Sequence, residues 1–191
     1  MIRKALAADI PAVASIYDKL HTEEEAGRAT IGWIRGIYPT EDTARQALCR
    51  DDLFVQEHNG TIVGAAIINQ TQVDAYYGGP WLYEAKDSEV MVLHTLVIDP
   101  DTAGKGFGKQ FVAFYEDYAR QNGCRCLRMD TNSRNARARA MYRKLGYREA
   151  GIEPCVFNGI EGVGLVLLEK MLEKFMNGKC QFLKLQIISA N

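Results

Sequence analysis

The stretch Leu96–Lys109, LVIDPDTAGKGFGK, decides how the chain must be read. It opens as an apolar run, halts at Asp99-Pro100, passes through alternate glycines at Gly104, Gly106 and Gly108, and continues with a helical pattern. A strand therefore feeds a glycine loop, and the loop feeds a helix. Alternate glycines remove the Cβ atoms that would hold a ligand off the backbone. They also tolerate positive φ, so successive N–H groups can converge on one anion. The helix adds further unpaired N–H groups and the positive end of its dipole. Phosphate or pyrophosphate is the guest such a loop suits. Two familiar phosphate loops do not fit. A P-loop needs four residues between its glycines and a Lys followed by Ser or Thr, whereas Lys109 precedes Gln110. A dinucleotide fingerprint starting at Gly104 needs a glycine at 109, where Lys stands.

Composition narrows the classes around this loop. With 191 residues, 47% of them hydrophobic and 25% charged, the chain suits one globular domain with a full core. That domain is assigned to 1–172, and 173–191 to a C-terminal tail. A net charge of −1 offers no global attraction to nucleic acid or an anionic membrane. No apolar run approaches the ~20 residues of a membrane span. The five cysteines, Cys49, Cys124, Cys126, Cys155 and Cys180, are scattered and odd in number. With no signal peptide at Met1-Ile2-Arg3, they read as reduced thiols of a cytoplasmic protein. Cys124 and Cys126, with His21, His58 and His94 elsewhere, do not complete four ligands, so no metal is expected.

The remaining elements follow from periodicity. Ile2–Ala5 reads as a short strand. Asp9 caps a helix with Pro11 in its first turn and Ile10, Val13, Ala14, Tyr17 and Leu20 at helical spacing. A short helix is expected around Ile31–Ile37, and another after Thr40, helped by Glu41 and Asp42. The acidic triplet Glu23, Glu24, Glu25 reads as a solvated face, or else as a mouth attracting a cationic acceptor. Asn59-Gly60 joins the β-patterned runs Leu53–Glu57 and Thr61–Asn69 as a hairpin. Between Gln70 and Asp87 periodicity fails, and Tyr76, Tyr77, Trp81 and Tyr83 accumulate; such a loop is either packed onto the body or a lid over substrate. Strand Glu89–Asp99 leads into the glycine loop. The next helix carries Phe107, Phe111, Phe114, Tyr115 and Tyr118 on one face and stops at Asn122-Gly123. Cys124–Thr131 is a strand and Asn135–Leu145 a helix. Tyr147–Phe157 and Val163–Leu172 form a hairpin around Asn158-Gly159. This order implies an α+β fold, with mixed α/β layers around a largely antiparallel sheet of about seven strands. The tail, with Phe182, Leu183, Leu185, Ile187 and Ile188, is an extra strand, a homodimer contact or a poorly ordered end.

Two motifs resemble those of the GNAT superfamily of acyl-CoA-dependent N-acyltransferases. Its loop motif, Leu-x-Val-x-Pro followed after two residues by Arg or Gln and Gly-x-Gly-x-Gly or Ala, is met at Leu96, Ile98, Pro100, Gly104, Gly106 and Gly108; Ala103 departs from the usual Arg or Gln. Its second motif, Asn-x-x-Ala-x-x-x-Tyr-x-x-x-Gly-Phe, is similar to Asn135, Ala138, Tyr142, Gly146 and Tyr147. The opening IRKALAADIPAVASIYD is similar to the family's weaker first motif. The resemblance implies acetyl-CoA as co-substrate. Leu96, Val97 and Ile98 would pair with the pantetheine arm, and Ala103, Gly104, Lys105, Gly106, Phe107, Gly108 and Lys109 would hold the pyrophosphate. Asn135 and Arg137 stand as additional cofactor contacts.

Acyl transfer to an amine makes three demands: loss of the amine's proton, a donor for the oxyanion, and an acid for the departing thiolate. Tyr142 occupies the family's position for the acid. His94 is the candidate base: LHTLVI is similar to the arylalkylamine N-acetyltransferase strand, and period two would put His94 on the face of Leu96. Glu89 and Glu84 are its rivals. Trp33, Tyr76, Tyr77, Trp81, Tyr83 and Glu84 are the candidates for holding the acceptor. A Cys155 nucleophile lacks an assignable base, so direct transfer is favoured. The expected activity is transfer of an acetyl group from acetyl-CoA to a primary amine on a small molecule. Beside it stand an inactive acyl-CoA-sensing module and a protein or peptide N-acetyltransferase.

Overall fold

In the computed structural model, which describes residues 1–173, the strand ahead of the glycine loop lies at the centre of one seven-stranded sheet. The strands are β1 (Ile2–Lys4), β2 (Leu53–His58), β3 (Thr61–Asn69), β4 (Val90–Ile98), β5 (Cys126–Asn132), β6 (Arg148–Phe157) and β7 (Ile160–Met171). Their spatial order is β1-β2-β3-β4-β5-β7-β6. Every pairing is antiparallel except β4 with β5. That parallel pair needs a crossover, which α3 (Phe107–Gln121) supplies. The other helices are α1 (Ile10–Glu25), α2 (Glu41–Cys49) and α4 (Ala136–Lys144), so the expected α+β class holds.

Helices cover both faces because each presents one apolar stripe. Phe111, Val112 and Tyr115 of α3, with Tyr142 of α4, pack on Met91, Leu93, Leu127 and Met129. Each such fully buried side chain contributes about 1.5–3 kcal/mol. The Tyr115 hydroxyl donates to Met91 O at 2.6 Å and to Arg128 O at 3.1 Å, fastening α3 to both strands that flank it in sequence. On the opposite face Ile10, Val13, Ile16 and Tyr17 of α1 and Ala44 and Ala47 of α2 cover Leu53, Val55, Ala65, Ile67 and Val97. Beyond them, Tyr76 covers Val90, Val92, Leu165 and Leu167.

Several local expectations are met for the reasons given. Thr40 Oγ1 accepts from Thr43 N at the start of α2, and the Asn59 and Asn158 turns close their hairpins with positive φ. Two differ. Asp9 precedes α1 without capping it; its carboxylate takes the Arg3 guanidinium at 2.7 Å and Leu6 N at 2.7 Å instead. The helix expected at Ile31–Ile37 is replaced by turns around a single Ile34–Tyr38 bridge. Gly32 and Gly36 there hold φ of 82° and 77°, outside helical space. The proposed roles of the tail fall in residues 174–191, outside those described. Among the described residues, no helix is long and apolar enough to cross a membrane.

Candidate functional site

β4 and β5 pair from Val90↔Cys126 to Leu93↔Met129 and then part, although β4 runs on to Ile98 and β5 to Asn132. A cavity of about 180 Å³ occupies the opening, with both strand ends, α4, the Ile31–Tyr38 segment and the β6–β7 hairpin as its walls. The parting has a local cause. Thr95 has φ of 50°, and the β3–β4 register shifts between Ala65 and Ile67, so β4 carries one extra residue as a bulge. Its consequence corrects the period-two expectation. Ile67 opposes His94 and Ala65 opposes Val97, so His94 shares the Val97 face, whereas Leu93, Leu96 and Ile98 pack on the α3–α4 side.

The α3–α4 side of the gap carries Leu96, Ile98, Ala138 and Tyr142. Tyr142 is 6% exposed and lines the cavity, and burial raises its hydroxyl pKa further above the usual tyrosine value. Asn135 also lines the cavity, but its Oδ1 accepts from Ala138 N at 3.1 Å and so caps α4. Arg137 is exposed in the first turn of that helix.

Beyond Ile98 the chain turns at Asp99, which takes the Lys19 ammonium at 2.8 Å and Asp101 N at 3.0 Å. Gly104 and Gly106 both adopt φ of 84°, and a Cβ at either would meet nothing within 4 Å. Gly108 differs: its φ is ordinary, and a Cβ there would stand 3.4 Å from the flexible Met141 Sδ, where α3 passes α4. Among the described residues, the N–H groups of Gly104, Lys105, Gly106, Phe107, Gly108 and Lys109 meet no acceptor, and Gln110 is the first to bond back, to Gly106 O at 3.1 Å. Lys105 and Lys109 are exposed beside them, while Phe107 is buried and anchors the turn. Open N–H groups, absent Cβ atoms and a helix start form a cradle that fits a pyrophosphate.

The opposite side of the gap is built from side chains. Asp130, which lies in β5 and was read from sequence only as a strand residue, projects into the cavity wall. Tyr76 Oη donates to its Oδ2 at 2.8 Å, and burial pushes its pKa up to about 6. A carboxylate at the polar end of a strand, followed by Thr131 and Asn132, was its only sequence signal. His94, across the gap on β4, also lines the cavity, with Nε2 3.1 Å from both Asn69 Oδ1 and Thr71 O. Lost hydration pushes its pKa down to about 4, so the ring is neutral at pH 7. The Tyr38 hydroxyl bonds to Thr95 Oγ1 at the bulge, and burial pushes it up to about 12.

Trp33 lines the cavity, packing edge-on to Tyr38 at 6.0 Å between ring centroids. Its segment is held by the acidic triplet, each member of which has a partner. Glu24 accepts from Ile31 N at 2.6 Å and Gly32 N at 3.1 Å, Glu23 pairs with Arg28, and Glu25 with Arg35. Tyr77, Trp81, Tyr83 and Glu84 do not line the cavity, and Tyr76 reaches it only through Asp130. The aromatic segment is fastened down: Trp81 Nε1 donates to Tyr76 O, the Arg128 guanidinium lies 4.3 Å from the Trp81 ring centre, and buried Glu169 accepts from Leu82 N and Tyr83 N. Glu89 sits at the far end of β4, paired with Arg125 and bonded to Lys86 N.

Comparison with known proteins agrees with this architecture. The sequence model of the acetyltransferase (GNAT) family matches residues 14–147. Over 97 residues the chain is 30% identical to YhfO of Bacillus subtilis (strain 168), described as an uncharacterized N-acetyltransferase; the match covers 51% of this chain and 58% of that protein. The chain spans about half the length of the curated relatives it matches, 58% and 40%. A GNAT-family acetyltransferase from Streptococcus agalactiae 2603 superposes with a TM-score of 0.76 at 20% identity, covering 91% of this chain and 96% of that one. The yncA protein of Salmonella typhimurium, whose structure is described with its cofactor acetyl-CoA, gives 0.62 at 20% identity over 95% and 98%. At such identities the structural likeness speaks for the fold.

Proposed function

Because the chain belongs to the acetyltransferase (GNAT) family, we propose that it transfers an acetyl group from acetyl-CoA to a primary amine carried by a small molecule. The observation that carries this reading is the run of open N–H groups from Gly104 to Lys109, which follows in the chain on Ile98 of β4, itself lining the strand gap that Tyr142 also lines. Acetyl-CoA supplies an activated thioester; its pyrophosphate would lie on the cradle, and Leu96, Val97 and Ile98 would flank its pantetheine arm. Likeness to a fold whose relative is described with acetyl-CoA supports that choice of donor. Tyr142, without a hydrogen-bond partner among the described residues, would give its proton to the departing thiolate; burial keeps the hydroxyl protonated until the thiolate develops beside it. The walls support a small acceptor: Trp33, Tyr38 and Phe157 border a cavity of about 180 Å³. For scale, a 150 Å³ apolar cavity accommodates a benzene-sized ring.

The test is release of CoA thiol from acetyl-CoA against arylalkylamines, polyamines, aminoglycosides, amino acids and lysine peptides, beside calorimetric binding of acetyl-CoA. Binding with release dependent on one class of small amine is the expected result. Absence of acetyl-CoA binding would sink the reading, and release with peptides alone would replace the small-molecule acceptor.

A further inference from the structure

The transfer reading leaves the acceptor's proton without a destination. We infer that Asp130 holds the acceptor's ammonium and removes its proton, and that the cavity selects monoamines with a compact apolar body; this rests on the acetyl-transfer reading above. Among the described residues, Asp130 is the only acidic side chain in the cavity wall, and no Lys or Arg joins it. Its Oδ2 is engaged by Tyr76, while Oδ1 has no partner among the described residues and is left for a ligand. Around the amine's approach stand Ile31, Trp33, Val73, Phe157, Ile160 and Val163, with Thr131, Asn132 and Asn158 as uncharged polar neighbours. One ammonium finds a counter-charge there, and an apolar body finds apolar contacts. A second ammonium or a carboxylate would lose its hydration without an oppositely charged partner. Polyamines, aminoglycosides and free amino acids are disfavoured on that ground.

Asp130 also meets the geometric demand on a base. It stands on β5 where that strand parts from β4, on the face opposite Tyr142, so an amine beside it enters the gap from one face and the thioester from the other. The titratable groups around it are Tyr76, Tyr38, Tyr142, Cys155 and, across the gap, His94. The four hydroxyl and thiol groups all have pKa values held above their usual ranges, and His94 is neutral, so Asp130 is the ionised member at pH 7. A carboxylate titrating near 6 remains charged there while being more basic than one on the surface. Asp130 takes one proton from the ammonium, and the freed lone pair forms the N–C bond. The C–S bond breaks with its electron pair on sulfur, which takes the Tyr142 proton. The second proton leaving nitrogen restores Tyr142, and Asp130 returns its own to water. One proton is released per acetyl transferred.

The experiment compares wild type, Asp130→Asn and Tyr76→Phe with 2-phenylethylamine, hexylamine, spermidine, phenylalanine and a lysine peptide, by thiol release across pH and by calorimetric binding of acetyl-CoA. The two monoamines should exceed the other acceptors in kcat/KM by about tenfold or more, the effect of roughly 1.4 kcal/mol. The rising limb of kcat/KM should lie near pH 6. Asp130→Asn should lower kcat/KM by about 10²–10³-fold and leave acetyl-CoA affinity in place. Tyr76→Phe removes a bond that favours the ionised carboxylate and should move the limb to higher pH, a reading still open if Asp130→Asn fails to fold. A limb near pH 4, a limb unmoved in Tyr76→Phe, or highest rates with spermidine, phenylalanine or peptide would overturn the inference. Acetyl-CoA binding without release from any amine would overturn it too, whereas loss of acetyl-CoA binding in wild type would instead remove the transfer reading beneath it.

Discussion

The two mouths of the cavity are made in different ways. On the α3–α4 side, consecutive backbone N–H groups from Gly104 to Lys109 stand open because two glycines adopt φ of 84° and a helix begins. On the other side, Trp33, Tyr38, His94, Asp130 and Phe157 come from separate segments and meet only when the sheet forms. A backbone cradle recognises charge and tolerates changes in neighbouring side chains. A side-chain pocket recognises shape and is sensitive to each member. That contrast explains how Ala103, which departs from the family pattern, can leave the cradle whole: a side chain is lost there, but the backbone N–H groups remain.

The sharpest way to break the comparison is at Tyr142, which stands between the two mouths. Tyr142→Phe should lower kcat by about 10²–10³-fold while acetyl-CoA affinity, set by the cradle, stays within about threefold. Equal turnover, measured by thiol release, would end its assignment as the acid.

His94 tests the side-chain mouth through stability. Its folded pKa of about 4 lies below the ordinary 6.5, so the folded state binds the proton more weakly than the unfolded chain. Its contribution is therefore complete above pH 6.5 and lost as pH falls towards 4, by up to about 3 kcal/mol. Denaturant titrations should show His94→Gln flattening that acid limb; identical limbs would mean that His94 is hydrated in solution.

Gly106 probes the cradle alone. Placing alanine at a φ of 84° costs about 1–2 kcal/mol of left-handed strain, which should appear as roughly tenfold weaker acetyl-CoA binding, with acceptor KM little changed. Unaltered affinity and unaltered Tm together would show that the loop does not need this backbone geometry.

The smallest effect is expected at Glu24, whose carboxylate holds Ile31 N and Gly32 N. Glu24→Gln should cost about 1 kcal/mol and raise the acceptor KM severalfold without touching acetyl-CoA binding. A change confined to acetyl-CoA affinity would reverse the assignment of the two mouths.

What could be read from sequence, and what could not, follows the same division. The strand, glycine loop and helix at Leu96–Gln121, and the capped helix after Asn135, depend on neighbours within a few residues, so pattern and turn chemistry determine them. The hairpins at Asn59-Gly60 and Asn158-Gly159 belong to the same class. His94 failed that logic because one bulged residue at Thr95 reverses which face every earlier side chain meets, and a bulge leaves no mark in hydrophobic alternation. For the aromatic segment Tyr76–Tyr83 the sequence left packing onto the body and covering substrate both open, because its destination is set by distant partners, Arg128 and Glu169. Asp130 was silent because a carboxylate's chemistry depends on what surrounds it, here Tyr76 from 54 positions away in the chain. The sequence by itself thus determined the fold and the glycine loop with its open N–H groups, which rest on local backbone geometry. Tertiary structure alone decided where β4 and β5 part, which faces their side chains take, and which carboxylate is buried between them, because those depend on long-range packing and desolvation.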